Sequence, residues 1–141
     1  MSDSSVDPTR MTFGLAVVRA LQKFTVLEGR ASWAEYWWFV LFQVLVWGAL
    51  YACAAVVGAS TQNGQGTALG AMMLGVSLVL VVVVLSLIVP AVTVTVRRLH
   101  DTERSGWWAL LLPLPLLALI VLLFCLLPGN AGKNKYGEPP V

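Results

Sequence analysis

The sequence predicts an all-α membrane protein with three transmembrane helices preceded by a short amphipathic interfacial helix. The chain of 141 residues is 58% hydrophobic and only 11% charged, whereas soluble globular domains carry roughly 25% charged residues. Three windows without a charged residue lie at about 37–57, 70–96 and 107–127. A helix of about 20 apolar residues crosses a bilayer core, and these continuous runs lack the alternation of barrel strands.

The chain before the first window divides into a polar tail and a short helix. We expect residues 1–10 to be disordered and residues 11–141 to form a single helical membrane domain. Asp7 and Pro8 offer an N-cap and a first-turn proline for the helix that follows. Apolar residues recur at helical spacing over 11–24. This pattern suits either a helix on the membrane surface or a short helix packed on the others.

The first span begins with a capping signal and a group of aromatic residues. Ser32 and Glu35 have the spacing of a capping box, in which the two side chains bind free amides of the first helical turn. Large aromatic side chains at such a position are typical of the membrane interface, where they anchor the helix. They could instead stack against a ligand. The residues are Trp33, Tyr36, Trp37 and Trp38.

Prolines predict irregular geometry in the second and third windows. Pro90 lacks a backbone donor and should kink the second helix on its inward side. Pro113 and Pro115 should disturb the third helix in the same way. The third run is therefore either a complete span or a re-entrant hairpin broken at these two prolines.

The distribution of basic residues predicts the orientation. The loop 59–68 contains no Lys or Arg, whereas seven basic residues precede the first span or lie between the second and third. Because basic residues concentrate in cytoplasmic segments, the N-terminus should be cytoplasmic and a tail after three spans should be outside. A re-entrant third run would return the tail to the cytoplasm. The seven are Arg10, Arg19, Lys23, Arg30, Arg97, Arg98 and Arg104, and the tail holds Lys133 and Lys135.

Residues 97–108, which we call the hinge, combine charge with aromatic side chains between two apolar runs. In a structural interpretation, Arg97 and Arg98 pair with Asp101 at spacings of four and three. His100 and Arg104 would then reach lipid headgroups or pair with acidic residues, namely Glu35 and Glu103. We also expect Glu35 to meet Arg97 or Arg98, because unpaired charges at the membrane are costly.

In a binding interpretation, arginines and tryptophans at one depth hold an anionic lipid headgroup or the acidic patch of a partner protein. The expected partners are membrane lipids, including anionic ones, a partner protein or a second copy of the chain. We expect no nucleic acid, because the basic excess is small. The candidate residues are Arg30, Glu35, Trp37, Arg97, Arg98, His100, Asp101, Arg104, Trp107 and Trp108.

Catalysis and transport are the alternatives to a binding protein. His100 could act as a base, Asp101 could orient it, and Ser105 could be a nucleophile. Adjacent residues on a helix do not face each other, however. We expect no metal and no cofactor, since the chain has one histidine and both cysteines lie in apolar runs. We therefore expect no enzyme; the alternatives are a small-solute transport component or a membrane-embedded enzyme using His100 and Asp101.

Three ordered motifs resemble those of the domain of unknown function 805 family, small bacterial inner-membrane proteins of the YhaH and YhaI type. The resemblance implies a multi-pass protein of the bacterial inner membrane and implies no activity. Two departures, Trp33-Ala34 in place of basic residues and Glu103 in place of a small residue, weaken any site that depends on net positive charge there. The motifs are 28–32 with 35–39, 97–101 with 104–108, and Pro128-Gly129 followed by Asn134, Tyr136-Gly137 and Pro139.

Overall fold

A computed structural model describes residues 11–62 and 68–140, which form helices joined by turns, with no β-strand in either range. The all-α class is therefore confirmed. The predicted disordered tail lies outside the described residues. The helix that was predicted to start at Asp7 and Pro8 begins at Phe13 instead, because Thr12 is its N-cap. The helices are α1 (Phe13–Gln22), α2 (Trp33–Gln62), α3 (Ala68–Ser86), α4 (Ile88–Asp101), a 3-10 helix (Gly106–Leu111) and α5 (Pro115–Leu126).

The chain divides into two compact units. The terminal unit comprises Met1–Val40 and Val89–Val141, and the apolar unit comprises Leu41–Ile88. The terminal unit contains every residue that the sequence singled out as a binding candidate. The apolar unit contains no charged residue. The prediction of a single membrane domain is left untested by this division.

The apolar unit exposes most of its large side chains. Tyr51 is 78% exposed and Val79 is 64% exposed. Two helical stretches, Trp33–Ala59 and Gly70–Asp101, are long and apolar enough to cross a membrane, and their most apolar windows are only 0% and 11% buried. A core helix of a soluble protein would hide such a surface. The chain is therefore a membrane protein with two candidate spans.

The helix of the second window is interrupted near its proline. α3 ends at Ser86 and α4 begins at Ile88, while the Leu87 amide donates to the carbonyls of Val83 and Val84, each at 3.1 Å. Pro90 has no N–H to donate to the residue four positions earlier, which removes one hydrogen bond of the helical ladder at this point. The predicted irregularity is present, and it begins three residues before the proline.

α1 packs through small residues on one side. Its N-cap is Thr12, whose hydroxyl accepts from the Leu15 amide at 3.4 Å. Ala16 and Ala20, four positions apart and so on one face, are fully buried. The helix thus packs on its own unit through this face. Apolar residues on its other faces are exposed, and their contact with lipid stays a prediction. These exposed residues are Phe13, Leu15, Val18 and Leu21.

The capping box at the start of α2 forms only in part. The Ser32 hydroxyl accepts from the Glu35 amide at 3.0 Å, as predicted. The Glu35 carboxylate binds Arg97. Glu35 was expected to cap α2, but its side chain instead links α2 to α4.

The third window does not form one continuous helix. A 3-10 helix and α5 are separated by Leu112, Pro113 and Leu114, and Pro115 occupies the first turn of α5, where a missing N–H costs no helical bond. The predicted irregularity is therefore present. α5 has 12 residues, so its length is about 18 Å, and a third transmembrane helix is not confirmed.

A tight turn ends α4 and directs the chain toward the 3-10 helix. Glu103 adopts a left-handed backbone conformation with φ 61°. The Arg104 amide donates to the Leu99 carbonyl at 2.9 Å, and the Glu103 amide donates to the His100 carbonyl at 3.1 Å. These two bonds make a Schellman motif, in which glycine is the usual residue at the position of Glu103.

Candidate functional site

Five charged residues of the terminal unit are buried together, and we call them the ion-pair core. Charged side chains are almost never fully buried unless they are paired. Each member is at most 7% exposed. The members come from the loop before α2, from the first turn of α2 and from the end of α4. They are Arg30, Glu35, Arg97, Arg98 and Asp101.

One pair of the ion-pair core joins α2 to α4. Arg97 Nη2 donates to Glu35 Oε1 at 2.6 Å, and both side chains are at least 96% buried. The prediction that Glu35 meets Arg97 or Arg98 is confirmed. The ion-pair partners of Asp101 among the described residues are Arg30 and Arg98 and not Arg97, so that part of the structural interpretation is wrong.

Asp101 is shared by the two other arginines. Its Oδ1 accepts from Arg30 Nε at 2.8 Å, and its Oδ2 accepts from Arg98 Nη1. The predicted pair of Arg98 and Asp101 at a spacing of three is confirmed. Each carboxylate oxygen thus binds one of these arginines, while Arg97 binds Glu35. The partner that spacing could not predict is Arg30, which lies 71 positions away.

Residues 125–140, which we call the C-terminal segment, bind these arginines through backbone carbonyl oxygens. Arg30 Nη1 donates to the Gly132 carbonyl at 2.6 Å, and its Nη2 donates to the Asn130 carbonyl. Arg98 Nε donates to the Cys125 carbonyl at 3.1 Å, and its Nη2 donates to the Leu127 carbonyl. Sequence reasoning missed these contacts. The only signal was the third motif, which holds turn-forming residues and no charge.

The ion-pair core holds three guanidinium groups and two carboxylates, so it keeps one formal positive charge. The carbonyl oxygens around Arg30 and Arg98 offset part of that charge with their dipoles. Arg97 Nε has no hydrogen-bond partner among the described residues although it is buried. Buried polar networks of this kind define one arrangement because any unsatisfied member is costly.

The loop before α2 lies along α4 and is held by three further contacts. The Thr93 hydroxyl donates to the Phe24 carbonyl at 2.7 Å. The Ala31 amide donates to the Arg97 carbonyl at 3.1 Å. His100 Nδ1 lies 3.2 Å from the Gly29 carbonyl oxygen. These bonds place Arg30 where it can reach Asp101.

His100 makes no ion pair within the described part of the chain, contrary to the predicted pairing with Glu35 or Glu103. Its ring stacks on the Tyr136 ring with centroids 3.8 Å apart and an interplanar angle of 7°. Its carbonyl accepts from Asn134 Nδ2 at 2.9 Å. The C-terminal segment therefore covers His100 with an aromatic ring.

Arg104 also departs from the predicted pairing. Its guanidinium carbon lies 3.6 Å from the centroid of the Phe124 ring. The Trp108 ring packs edge-on against the same phenyl ring with centroids 5.2 Å apart. No carboxylate lies within salt-bridge distance of Arg104 in the described ranges. Arg104 is thus held by a cation–π contact.

The tryptophans of the candidate site differ in exposure. Trp107 is 77% exposed, and Trp108 and Trp33 are also exposed. Trp37 is half-buried against the rings of Tyr36 and Trp33, and its Nε1 has no partner among the described residues. Tyr36 is buried, so it is not part of an exposed aromatic belt. Trp107 is thus the most exposed aromatic side chain of the hinge.

A glycine makes the close approach of the C-terminal segment possible, and we predict that Gly129→Ala destabilises the protein. A Cβ at Gly129 would overlap the carboxylate of Asp101. Overpacking of this kind costs about 1–3 kcal/mol. Thermal unfolding in detergent, followed by tryptophan fluorescence, measures the effect.

Gly132→Ala is the matched control for this prediction. A Cβ at Gly132 would meet only Asn130 Oδ1 at 3.7 Å, an ordinary contact. We expect the midpoint of unfolding to fall for Gly129→Ala alone. Equal midpoints for the two variants would contradict the close approach.

These features define a class of protein. It is a helical membrane protein in which a buried ion-pair core links the loop before α2, the start of α2 and the end of α4. The sequence profile described as "Protein of unknown function (DUF805)" matches residues 24–138. The chain belongs to this family. The matched range contains every residue of the ion-pair core and most of the C-terminal segment that surrounds it.

Two curated relatives support the assignment. The chain is 30% identical to Inner membrane protein YhaH of Escherichia coli strain K12 over 124 residues, covering 87% of this chain and 93% of the relative. It is 31% identical to Inner membrane protein YhaI of the same strain over 121 residues, covering 85% and 90%. No solved structure matches the chain significantly.

Proposed function

We propose that the protein is a non-enzymatic protein of the bacterial inner membrane that binds an anionic lipid headgroup at Arg104. The observation that carries this proposal is the difference among the four arginines predicted to bind. Arg30, Arg97 and Arg98 are buried against carboxylates, whereas the Arg104 side chain contacts an aromatic ring and, among the described residues, no carboxylate. Its charge is the one that an external anion can neutralise.

The surroundings of Arg104 support a lipid headgroup as the anion. Trp107 and Trp108 are exposed beside it, and tryptophan is enriched at headgroup depth. The Phe124 ring holds the guanidinium without neutralising it. The residual positive charge of the ion-pair core adds to the attraction, because basic groups near a membrane favour anionic lipids.

The contacts of the ion-pair core favour binding over catalysis. A catalytic Asp101 would have to orient His100. Both oxygens of Asp101 bind arginines instead, and His100 Nδ1 faces the Gly29 carbonyl. His100 and Asp101 therefore lack the hydrogen bond that would couple them in an enzyme.

Arg104→Gln is the test of headgroup binding. We expect the purified variant to retain less cardiolipin or phosphatidylglycerol in native mass spectrometry than the unchanged protein. Lys133→Gln is the control, because it removes one exposed positive charge from the same unit. Equal retention in the variant and the control would reject lipid binding at Arg104. Crosslinking in native membranes would then test the alternative, an acidic partner protein.

We further propose that the chain crosses the membrane twice and that the third run is a re-entrant hairpin. The Asn130 amide donates to the Asp101 carbonyl at 2.9 Å, so the segment between them starts and ends at one place. Trp108 and Phe124 pair across it, and α5 is too short to span about 30 Å. A complete third span would separate the two residues that this hydrogen bond joins.

The basic residues support the same topology. With two spans, all nine Lys and Arg residues of the chain lie on one side, whereas three spans would put Lys133 and Lys135 on the other. Basic residues near span ends favour the cytoplasm. Both termini are therefore cytoplasmic in this proposal.

Reporter fusions test the topology. We expect a C-terminal green fluorescent protein to fluoresce and a C-terminal alkaline phosphatase to be inactive. A phosphatase fused after Asn63, between the two candidate spans, is the control and should be active. An active C-terminal phosphatase would support three spans and contradict the hairpin.

A further inference from the structure

The terminal unit contains an open pocket next to the headgroup site, and Trp107 belongs to both. It has a volume of about 450 Å³, within the range of about 300–1,000 Å³ typical of small-molecule sites. Most of its wall is apolar, and none of the described residues that line it is Asp, Glu, Lys or Arg. The apolar wall includes Leu27, Val92, Val96, Trp107 and Leu110.

Part of the pocket wall is polar, and His100 defines its hydrogen-bonding character. His100 Nδ1 lies 3.2 Å from the Gly29 carbonyl oxygen. A carbonyl oxygen can only accept, so Nδ1 carries the proton of the neutral ring and Nε2 is an acceptor. Stacking on Tyr136 fixes the plane of the ring.

The acceptor atom of His100 lies beside Gly106, another residue of the pocket wall. A Cβ built on Gly106, which also lines the pocket, would lie 3.1 Å from Nε2. Among the described residues no protein donor binds Nε2. The Ser105 hydroxyl lies in the same wall, accepts from the Trp107 amide at 3.4 Å, and keeps its own proton for donation. His100 and Ser105 thus present one acceptor and one donor, and the side chains of Tyr136 and Trp107, which also line the pocket, can donate as well.

We propose that this pocket binds one neutral long-chain alcohol, with its hydroxyl between His100 Nε2 and Ser105 Oγ and its chain along Val92, Val96 and Leu110. An alcohol both donates and accepts, which matches the two protein groups. A carboxylate or phosphate ester could only accept and would leave Nε2 unsatisfied. The apolar wall includes residues of a candidate span, so a hydrocarbon chain can enter from the bilayer.

Photo-crosslinking tests this proposal, with the protein in phosphatidylcholine nanodiscs. The probe is hexadecanol carrying a diazirine near the end of its chain, and peptide mass spectrometry locates the label. We expect label in 24–30, 88–101 and 106–111, removed by competing hexadecanol but not by hexadecane or palmitate.

Two kinds of variant separate the apolar and polar parts of the site. Val92→Trp fills the pocket from an exposed position and should reduce labelling at least tenfold. Leu116→Trp, at a residue that is 81% exposed and outside the pocket lining, is the control and should leave labelling unchanged.

His100→Asn keeps an amide donor near the position of Nδ1 but lacks Nε2, and Ser105→Ala lacks the hydroxyl. Each should weaken competition by hexadecanol roughly threefold to tenfold, the loss of one hydrogen bond.

Three outcomes would overturn the proposal. Equal competition by hexadecane would mean that the hydroxyl is not recognised. Stronger competition by palmitate would mean that the site prefers an anion. Labelling spread evenly over 41–88 would mean contact with bulk lipid. The proposal does not rest on lipid binding at Arg104, since Arg104 does not line the pocket.

Discussion

Asp101→Asn lowers the free energy of unfolding by about 3–5 kcal/mol, the cost of removing one partner from a buried ion pair. Asparagine has nearly the same shape but no negative charge. Arg30 and Arg98 both bind this carboxylate, so the variant leaves two buried guanidinium groups without an anion. The formal charge of the ion-pair core rises from one to two. The measurement is thermal unfolding in detergent, with the monodisperse fraction from size-exclusion chromatography.

Glu138→Gln is the matched control for this prediction. Glu138 pairs with Lys133 at 3.0 Å, but the two side chains are 71% and 72% exposed. Exposed pairs contribute about 0–1 kcal/mol, so the midpoint should hardly change. If Asp101→Asn were as well tolerated as Glu138→Gln, the arginines would not depend on this carboxylate.

The second large effect is expected at the pair of Glu35 and Arg97, which joins α2 to α4. Glu35→Leu leaves the buried guanidinium of Arg97 without its carboxylate partner, and Arg97→Met leaves the buried carboxylate of Glu35 without its guanidinium partner. Each single change should cost about 3–5 kcal/mol. The double variant replaces the pair by two apolar side chains, and such replacements are often neutral. It should therefore be more stable than either single variant.

A double-mutant cycle on unfolding midpoints provides the measurement. If each single change costs about 3–5 kcal/mol and the double variant is nearly neutral, the coupling energy is about 6–10 kcal/mol, larger than the roughly 0.5–3 kcal/mol usual for two residues in direct contact. Arg97 also has a buried Nε without a partner among the described residues, and Arg97→Met removes that cost as well. Additive effects would contradict an energetic link between the two side chains.

Much of the architecture follows from the amino-acid sequence. Apolar runs longer than about 20 residues have few stable environments other than a bilayer, which is why the two candidate spans could be predicted from composition. Prolines lack a donor wherever they occur, so the breaks near Pro90 and Pro113 were predictable. The pair of Glu35 and Arg97 was predictable because the ends of two consecutive spans meet at one interface.

Other features were decided by the tertiary structure. The spacing of Arg97 to Asp101 permits a pair on one helix, but Arg30 and Arg98 occupy both oxygens of that carboxylate. The C-terminal segment binds these arginines through the carbonyls of Cys125, Leu127, Asn130 and Gly132. Every residue has a carbonyl, so no pattern of side chains marks the ones that will be used. The same carbonyls hold the end of segment 106–130 beside its beginning, because they bind arginines that also bind Asp101.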